Sequence, residues 1–386
     1  MHNINIPLLP TPKPSTLAII YDYYYQRGLL SILLRYLYLI YTISILLILF
    51  NLFITVNLIL NVIVVLPVLI FVIVKIISCF KLYKLIKTIN IDIDEPWNVI
   101  VDKLCKYYNI GSSLIYRIML RKVNYIKSHI DFYPNSITFE WIMDIAFWDY
   151  ILNNNTNDIV NTINTVKYRI ILTSIMYILL SPLILIYYIG YYILTYFDHI
   201  KSHPVWLLDR KWMIKGKWML RRYNEPLHCF EYRLSKIKKS VDRYIELVNT
   251  SVLFLWLIRI LKFTLGTFLT VSIIYPTITS TTIVGLVGLV LFSIYRIPTK
   301  IYPIGDEVNI YLTKIREQLG NNVDDNFIRS MYRYRLWLFI YEILAILWVP
   351  WYFIIIYINK IPSLVNYINE VSIYDTRFGI IYNEAC

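Results

Sequence analysis

Cysteine and glycine are scarce in this chain, and acid is scarcer than base. The four cysteines, Cys79, Cys105, Cys229 and Cys386, stand apart with no C-x-x-C among them, so spacing supports neither a zinc ribbon nor a disulfide framework. No G-x-x-x-x-G-K-[ST] occurs, which removes the phosphate-cradling loop of nucleotide-driven machines. Glycine numbers 10 against 36 tyrosines; with abundant isoleucine this reads as an AT-rich coding bias, so no single Tyr or Asn is taken as chosen by function. Gly285 and Gly288 make a G-x-x-G, not the G-x-x-x-G of close helix pairs. Met1 to Pro14 lacks a basic leader before a short apolar core, and no cleaved signal peptide is expected. Lys and Arg total 38 against 25 Asp and Glu, a net charge of +13. The bases gather in connecting segments, which fits faces turned to an anionic membrane surface better than nucleic acid.

What is abundant is hydrocarbon. Hydrophobic side chains make up 58% of the 386 residues and mean hydropathy is +0.55, above what a soluble domain carries. Apolar stretches cover roughly 29–50, 58–80, 170–197, 252–275, 283–297 and 336–358, against about 20 residues for a spanning helix. An integral membrane protein follows.

Basic residues in short loops mark the cytoplasmic side. Lys13, Arg27 and Arg35 precede or open the first stretch, Lys81, Lys84 and Lys87 follow the second, and the loop Asn51 to Asn61 is uncharged. The first pair therefore reads as a hairpin with cytoplasmic ends. The fourth and fifth stretches repeat the pattern around the uncharged turn Pro276–Thr282. The third and sixth stretches carry bases on both sides, and each has a central proline, Pro182 and Pro350. A proline ring breaks the helical hydrogen-bond ladder, so the chain is expected to fold back at each, giving two re-entrant segments. The organisation predicted is a cytoplasmic N-terminal segment 1–28, transmembrane hairpin 29–80, cytoplasmic helical region 81–169 and re-entrant segment 170–197. A polar region 198–250, hairpin 251–297, helical region 298–335, re-entrant segment 336–358 and cytoplasmic tail 359–386 follow. Four spanning helices plus two re-entrant ones make an all-α integral membrane protein with helical cytoplasmic regions.

Polar side chains recur on the spans at helical spacing. Ser31, Arg35, Tyr38 and Thr42 share one face of the first, and Arg259, Lys262, Gly266 and Thr270 share one face of the fourth stretch. Lys75 and Ser78 lie near the end of the second. Cations facing a shared cavity would attract lipid phosphate; snorkelling to the interface is the bland reading of Lys75, Arg259 and Lys262. His199 and His203 are four apart, but with only Asp198 as a third ligand no metal site is assigned.

Between the apolar stretches lies a dense polar and aromatic run, Trp218-Met219-Leu220-Arg221-Arg222-Tyr223-Asn224-Glu225-Pro226-Leu227-His228-Cys229-Phe230-Glu231-Tyr232-Arg233-Leu234. Glu225 and His228 invite an acid/base reading, yet no nucleophile or metal set accompanies them. A structural role is expected instead, with Glu231 paired to Arg221 or Arg233 and with Trp218, Tyr223 and Phe230 packing to fix subunit contacts. The run fills every fixed position of W-x-x-R-x-[FY]-N-E-x-x-H-x-x-x-x-R-L, and in this it resembles the autophagy-related protein 9 family of multi-pass lipid scramblases. Further segments resemble the family in order: Tyr21 to Gly28 its Tyr-rich lead-in, Arg121–Tyr125 its R-x-x-N-Y, Phe139-Glu140-Trp141 its L-E-W, Ser181–Ile184 its A-P-F-I, and Glu342 to Pro350 its E-x-L-S-P-x-x-T-P with Ile346 in place of the first proline. Ile368–Val371 matches its F-R-N-F-T-V loosely. His199–Pro204 stands where the family reads K-R-E-P beside its pore; Lys201 and Pro204 match, Ser202 and His203 depart, and only Lys201 carries over.

The resemblance implies a domain-swapped homotrimer whose protomers each open a lateral cavity to a central pore. It implies passive phospholipid scrambling with no cofactor and no catalytic site. The lipid-path candidates are then Arg35, Tyr38, Thr42, Lys75, Lys201, Arg259, Lys262 and Thr270; the structural residues are Trp218, Arg221, Asn224, Glu225, His228, Glu231 and Arg233. It also implies vesicles of Golgi or endosomal origin and the phagophore membrane as the location, with an autophagy-related lipid-transfer protein as partner. An ion channel or solute carrier with a cationic pore, or a structural membrane subunit of an organellar complex, stands as the alternative.

Overall fold

The computed structural model describes residues 14–53, 73, 76–77, 80, 83–84, 86–154, 158–202, 206, 209–248, 256, 259–267, 270, 306–320, 323–375 and 379–383. Helix α1 (Pro14–Tyr25) opens with a proline, whose fixed φ suits the first helical turn. It closes where Arg27 turns left-handed at φ 57° and Gly28 follows at φ 94°, with Gly28 N–H on Tyr23 O at 3.0 Å and Arg27 N–H on Tyr24 O at 3.0 Å, a Schellman stop. A Cβ on Gly28 would lie 2.5 Å from Ile93 Cδ1, so only glycine fits this corner. Helix α2 (Leu29–Phe53) departs from it.

The polar region after the first pair of stretches folds as short amphipathic helices α3 (Trp97–Tyr108), α4 (Ser112–Met119), α5 (Arg121–Ser128), α6 (Ile137–Met143) and α7 (Asp149–Asn153), with one π-turn over Asp144–Trp148. In α3 the buried set Trp97, Ile100, Val101, Leu104 and Tyr108 follows the 3.6-residue period. Ser136 caps α6 by accepting from Phe139 N–H at 3.1 Å. The long α8 (Ile159–Ser202) leads to strand β1 (Arg210–Trp212), α9 (Ile214–Leu220) and α10 (Leu227–Val248). Then come α11 (Asp306–Leu319), α12 (Asp325–Met331), β2 (Tyr332–Tyr334), α13 (Arg335–Ile355), α14 (Ile361–Val371), β3 (Ser372–Asp375) and β4 (Gly379–Tyr382). Strand β1 pairs antiparallel with β2, Trp212 opposite Tyr332, and β3 with β4, Ser372 opposite Tyr382. The helical expectation holds; the two small ribbons are additions to it.

Two described helices are long and apolar enough to cross a bilayer, residues Ile159–Tyr196 of α8 and all of α13. They lie against each other, and α8 turns Leu172, Ile175, Leu179, Leu183, Ile186 and Ile193 outward. A bare hydrocarbon face of that length belongs against lipid tails or another protein.

The reversals expected at Pro182 and Pro350 do not occur. Helix α8 runs unbroken through Pro182, and α13 through Pro350. Proline at 182 deprives the carbonyl of Ile178 of its donor, and the hydroxyl of Ser181 donates to that same carbonyl at 2.8 Å. A neighbouring hydroxyl that restores the lost bond lets a helix tolerate proline in an apolar setting. After α13 the chain turns only at Tyr357–Lys360.

Three cores result. One gathers Phe132, Phe139, Phe147 and Trp148 with Val349 and Phe353 of α13; a second joins Leu17 and Ile20 of α1 to Trp97, Leu104 and Ile115; a third packs Trp212, Leu220, Phe230, Val241, Ile315 and Tyr332. The run from Trp218 to Leu234 touches all of them: Trp218 lies in the first, Leu227 against the second, Phe230 in the third.

Candidate functional site

Where the cores meet, the chain leaves α9 in extended form at Arg221 and turns at Asn224, whose φ is +54°. Asparagine is among the few residues that take the left-handed region readily. The turn presents Asn224 to Asn124, which is fully buried. Asn124 Nδ2 donates to Asn224 Oδ1 at 2.8 Å, and Asn224 N–H donates to Asn124 Oδ1 at 3.0 Å. This reciprocal clasp joins the R-x-x-N-Y segment to the run around Asn224, a pairing the linear spacing of 100 residues did not reveal.

The same turn returns Glu225 over α10. Arg233 Nε donates to Glu225 Oε1 at 2.9 Å and Nη2 to Oε2 at 2.7 Å, both side chains about nine-tenths buried (10% and 11% exposed). Arg233 also donates to Leu220 O at 2.9 Å and Gln318 O at 3.3 Å, and Arg222 N–H donates to Glu225 Oε2 at 3.0 Å. The expected pairing of Glu231 with Arg221 or Arg233 is thus replaced. Residues two apart on a helix do not face each other, so Glu231 is turned outward while Arg233 shares the buried face with Phe230 and Ile237. Glu231 instead accepts from Tyr25 Oη at 2.6 Å. Burial, then the bond and charge of Glu231, push the Tyr25 hydroxyl up to about 12. Arg221 is buried over the rings of Trp218 (5.1 Å) and Phe230 (5.6 Å), and burial draws its pKa down.

His228 faces α1. Its backbone N–H donates to Tyr21 Oη at 3.1 Å, and its Nδ1 lies 3.0 Å from the same oxygen. The Tyr21 hydroxyl accepts from that N–H and shares one further hydrogen bond with the imidazole at Nδ1. Burial lowers the His228 pKa below 6.5 and raises the Tyr21 hydroxyl to about 12. Tyr21 and Tyr25, one turn apart on α1, therefore meet His228 and Glu231, three apart on α10. That shared spacing was the signal in the sequence. Glu225 and His228 are each held by a different partner, so the acid/base pairing is not formed.

Because the lowered pKa favours neutral imidazole in the folded state, the unfolded chain binds the extra proton. The stabilisation is complete above 6.5 and is lost as pH falls through the lower folded value. The melting temperature of the wild type relative to His228→Gln is expected to fall as pH drops from about 7.5 to about 5. Calorimetry across the range checks it; an unchanged slope in the variant removes His228 as the source.

The other candidates are dispersed. On α2, Arg35 and Tyr38 are exposed while Thr42 is buried and bonds Tyr187 of α8. Tyr187 stacks on Tyr191, ring centres 5.8 Å apart. Arg259 lies 5.3 Å over the Trp256 ring, Lys262 is half-buried, and Thr270 donates to Gly266 O at 2.9 Å. Lys201 is in the last turn of α8. Lys75, His203 and the turn 276–282 lie outside the described residues. His199 stacks on Trp206 at 5.7 Å, and among the described residues no three His, Cys, Asp or Glu cluster as metal ligands. Trp218 is buried and Tyr223 stacks on Tyr382 of β4 at 5.5 Å.

The fold and site define a helical protein with membrane-length apolar helices, whose polar helical regions are locked together at a buried junction of Asn, Arg, Glu, His and Tyr. The family model "Autophagy protein ATG9" matches residues 123–294, a span that holds Asn124, Asn224, Glu225, His228 and Arg233 but not Tyr21 and Tyr25. Autophagy-related protein 9 of Komagataella pastoris is 30% identical over 193 residues, 42% of this chain and 22% of its own length. That of Arabidopsis thaliana is 24% identical over 140 residues, 36% of this chain and 16% of its own. The chain thus spans about a fifth of the length of the curated relatives it matches. The cryo-EM structure of Schizosaccharomyces pombe Atg9 superposes with a TM-score of 0.71 at 20% identity, over 96% of this chain and 98% of that one, which shows a common fold. The chain is thus similar to the autophagy-related protein 9 family over residues 123–294 and shares the fold of one of its members.

Proposed function

We propose that this protein is an ATP-independent phospholipid scramblase that equilibrates leaflets while the autophagosomal membrane forms and expands. The observation that carries the reading is the polar face of α2, Arg35, Tyr38 and Thr42, whose Thr42 meets Tyr187 of α8, while α8 turns a bare apolar face outward. A headgroup needs a wet, hydrogen-bonding route because an uncompensated charge in hydrocarbon is costly. Its acyl tails need the opposite surface. No reaction is required, only a lowered barrier.

Four spanning helices with two further membrane-embedded ones remain the proposed disposition, the latter as continuous helices. What supports it is the anchoring of α13. At its start Arg335 N–H donates to Asp209 O at 2.9 Å, and just past its end Lys360 Nζ meets Asp131 Oδ1 at 2.6 Å. Both anchors belong to the polar regions that the Asn124–Asn224 clasp binds together, which supports a disposition with both ends of α13 on one side. A homotrimer with exchanged helices, a lateral cavity open to a central pore, vesicles of Golgi or endosomal origin and an autophagy-related lipid-transfer protein as donor complete the proposal.

The test is reconstitution with fluorescent phospholipid and dithionite bleaching. Bleaching well past the outer-leaflet half is expected, slowed severalfold in Arg35→Gln. A plateau at half overturns the proposal; anion flux without lipid flux would make the protein a channel.

A further inference from the structure

The β1–β2 ribbon stands at the point where both membrane-length helices leave the apolar region. Trp206 marks that level: its ring lies 4.5 Å from Tyr196 and 6.4 Å from Tyr192 of α8, and the Arg335 guanidinium at the start of α13 lies 4.3 Å over it. Tyr192 in turn stacks on Phe339 of α13 at 4.1 Å. Such a ring of Trp and Tyr with a basic residue is the composition of a membrane–water interface.

Just outside it, beside the ribbon, opens a cleft of about 370 Å³ lined by Arg210, Asn326, Arg329, Ser330, Arg333 and Tyr334. Each guanidinium is held by a protein contact. Arg210 Nη2 donates to Tyr334 Oη at 2.8 Å and lies over its ring, Arg329 Nε donates to Asp325 Oδ1 at 2.8 Å, and Arg333 Nε donates to Ser330 O at 2.9 Å. The bonds through Nε fix two of the planes and leave their terminal nitrogens to grip oxygens two at a time, the geometry that suits phosphate. Among the described lining residues none is acidic, and the Asp325 carboxylate beside them is already taken up by Arg329 Nε and Tyr244 Oη.

We propose that this cleft binds the phosphomonoester of an anionic lipid headgroup in the cytoplasmic leaflet, apart from the scrambling path. Three guanidiniums, one of them offset by Asp325, match a dianion, and the aromatic level beside them sets the depth at which headgroup phosphates lie. Only that depth rests on the membrane reading above; phosphate binding by the cleft does not.

The experiment uses the purified full chain in detergent and follows its melting temperature against short-chain phosphatidic acid, short-chain phosphatidylcholine and glycerol 3-phosphate. A saturable upward shift with phosphatidic acid and none with phosphatidylcholine is expected. Arg329→Gln and Arg333→Gln should each weaken the phosphatidic acid response about tenfold, and Arg333→Lys, which keeps charge but not the fork, should fall between. Both side chains are well exposed, and the one ion pair lost, Arg329 with Asp325, is a surface pair, so unliganded melting should shift only slightly, which separates lost binding from misfolding. Glycerol 3-phosphate binding as tightly as phosphatidic acid would assign the site to a soluble phosphate. Equal response to phosphatidylcholine, or wild-type response in the Gln variants, overturns it. Scrambling by those variants at the wild-type rate is compatible with the proposal, so its failure and that of the scramblase reading are told apart.

Discussion

Arg233→Ala is expected to destabilise the fold by about 3–5 kcal/mol, the largest loss from any single polar truncation in the junction. The reason lies less in the bond lost than in what stays behind. Glu225, 11% exposed, would keep its charge without its bidentate partner, and the carbonyls of Leu220 and Gln318 would lose a donor each. Removing one member of a buried pair strands the other, which costs more than deleting both. Glu225→Ala in the Arg233→Ala background should therefore recover part of the loss, a coupling of about 1–3 kcal/mol in a double-mutant cycle. Arg233→Lys should not rescue, since an ammonium cannot reach both carboxylate oxygens and two carbonyls in one plane. Melting of the purified variants in one detergent checks the series. Additive single and double variants would show that the pair acts independently and would sink this account.

The mostly helical character and the long apolar helices were legible because 20-residue apolar runs and basic flanks are properties of the chain alone. What stayed hidden was partnership. Glu231 and Arg233 look like neighbours in sequence, yet two residues on a helix point apart, and only the left-handed Asn224 brings Glu225 round to Arg233. Tyr21 and Tyr25 read as compositional bias until α10 supplied His228 and Glu231 to them. Pro182 was read as a turn because proline interrupts the ladder; the Ser181 hydroxyl beside it, which repairs the interruption, was present in the sequence and its spacing to Ile178 was readable. The ribbon at Arg210–Trp212 escaped notice because three residues are too few for a period-2 pattern to register against helical flanks.

Asn124→Leu is expected to cost about 2–4 kcal/mol, and the partition of that loss distinguishes a clasp from ordinary packing. Leucine at 124, a position 0% exposed, removes both bonds at once and puts hydrocarbon where the backbone N–H and side-chain carbonyl of Asn224 met Asn124. Asn224→Ala loses only one of the two bonds but forces a Cβ-bearing residue without a compensating polar side chain to hold φ +54°, which adds about 1 kcal/mol of backbone strain. Asn224→Gly keeps the turn and loses the same bond. The Ala-minus-Gly difference thus isolates the backbone term, and the Gly-minus-wild-type difference the bond, less the extra chain entropy that glycine brings. If Asn124→Leu and Asn224→Gly add, the two residues do not share an interaction; marked non-additivity is the expected result, because the second substitution finds its bond already gone. The consequence reaches the membrane helices. The clasp ties the region that anchors the end of α13 through Asp131 to the region that anchors its start through Asp209. Loosening it should raise proteolysis within the polar regions and, under the proposed scrambling, slow bleaching in liposomes while Arg35, Tyr38 and Thr42 remain intact.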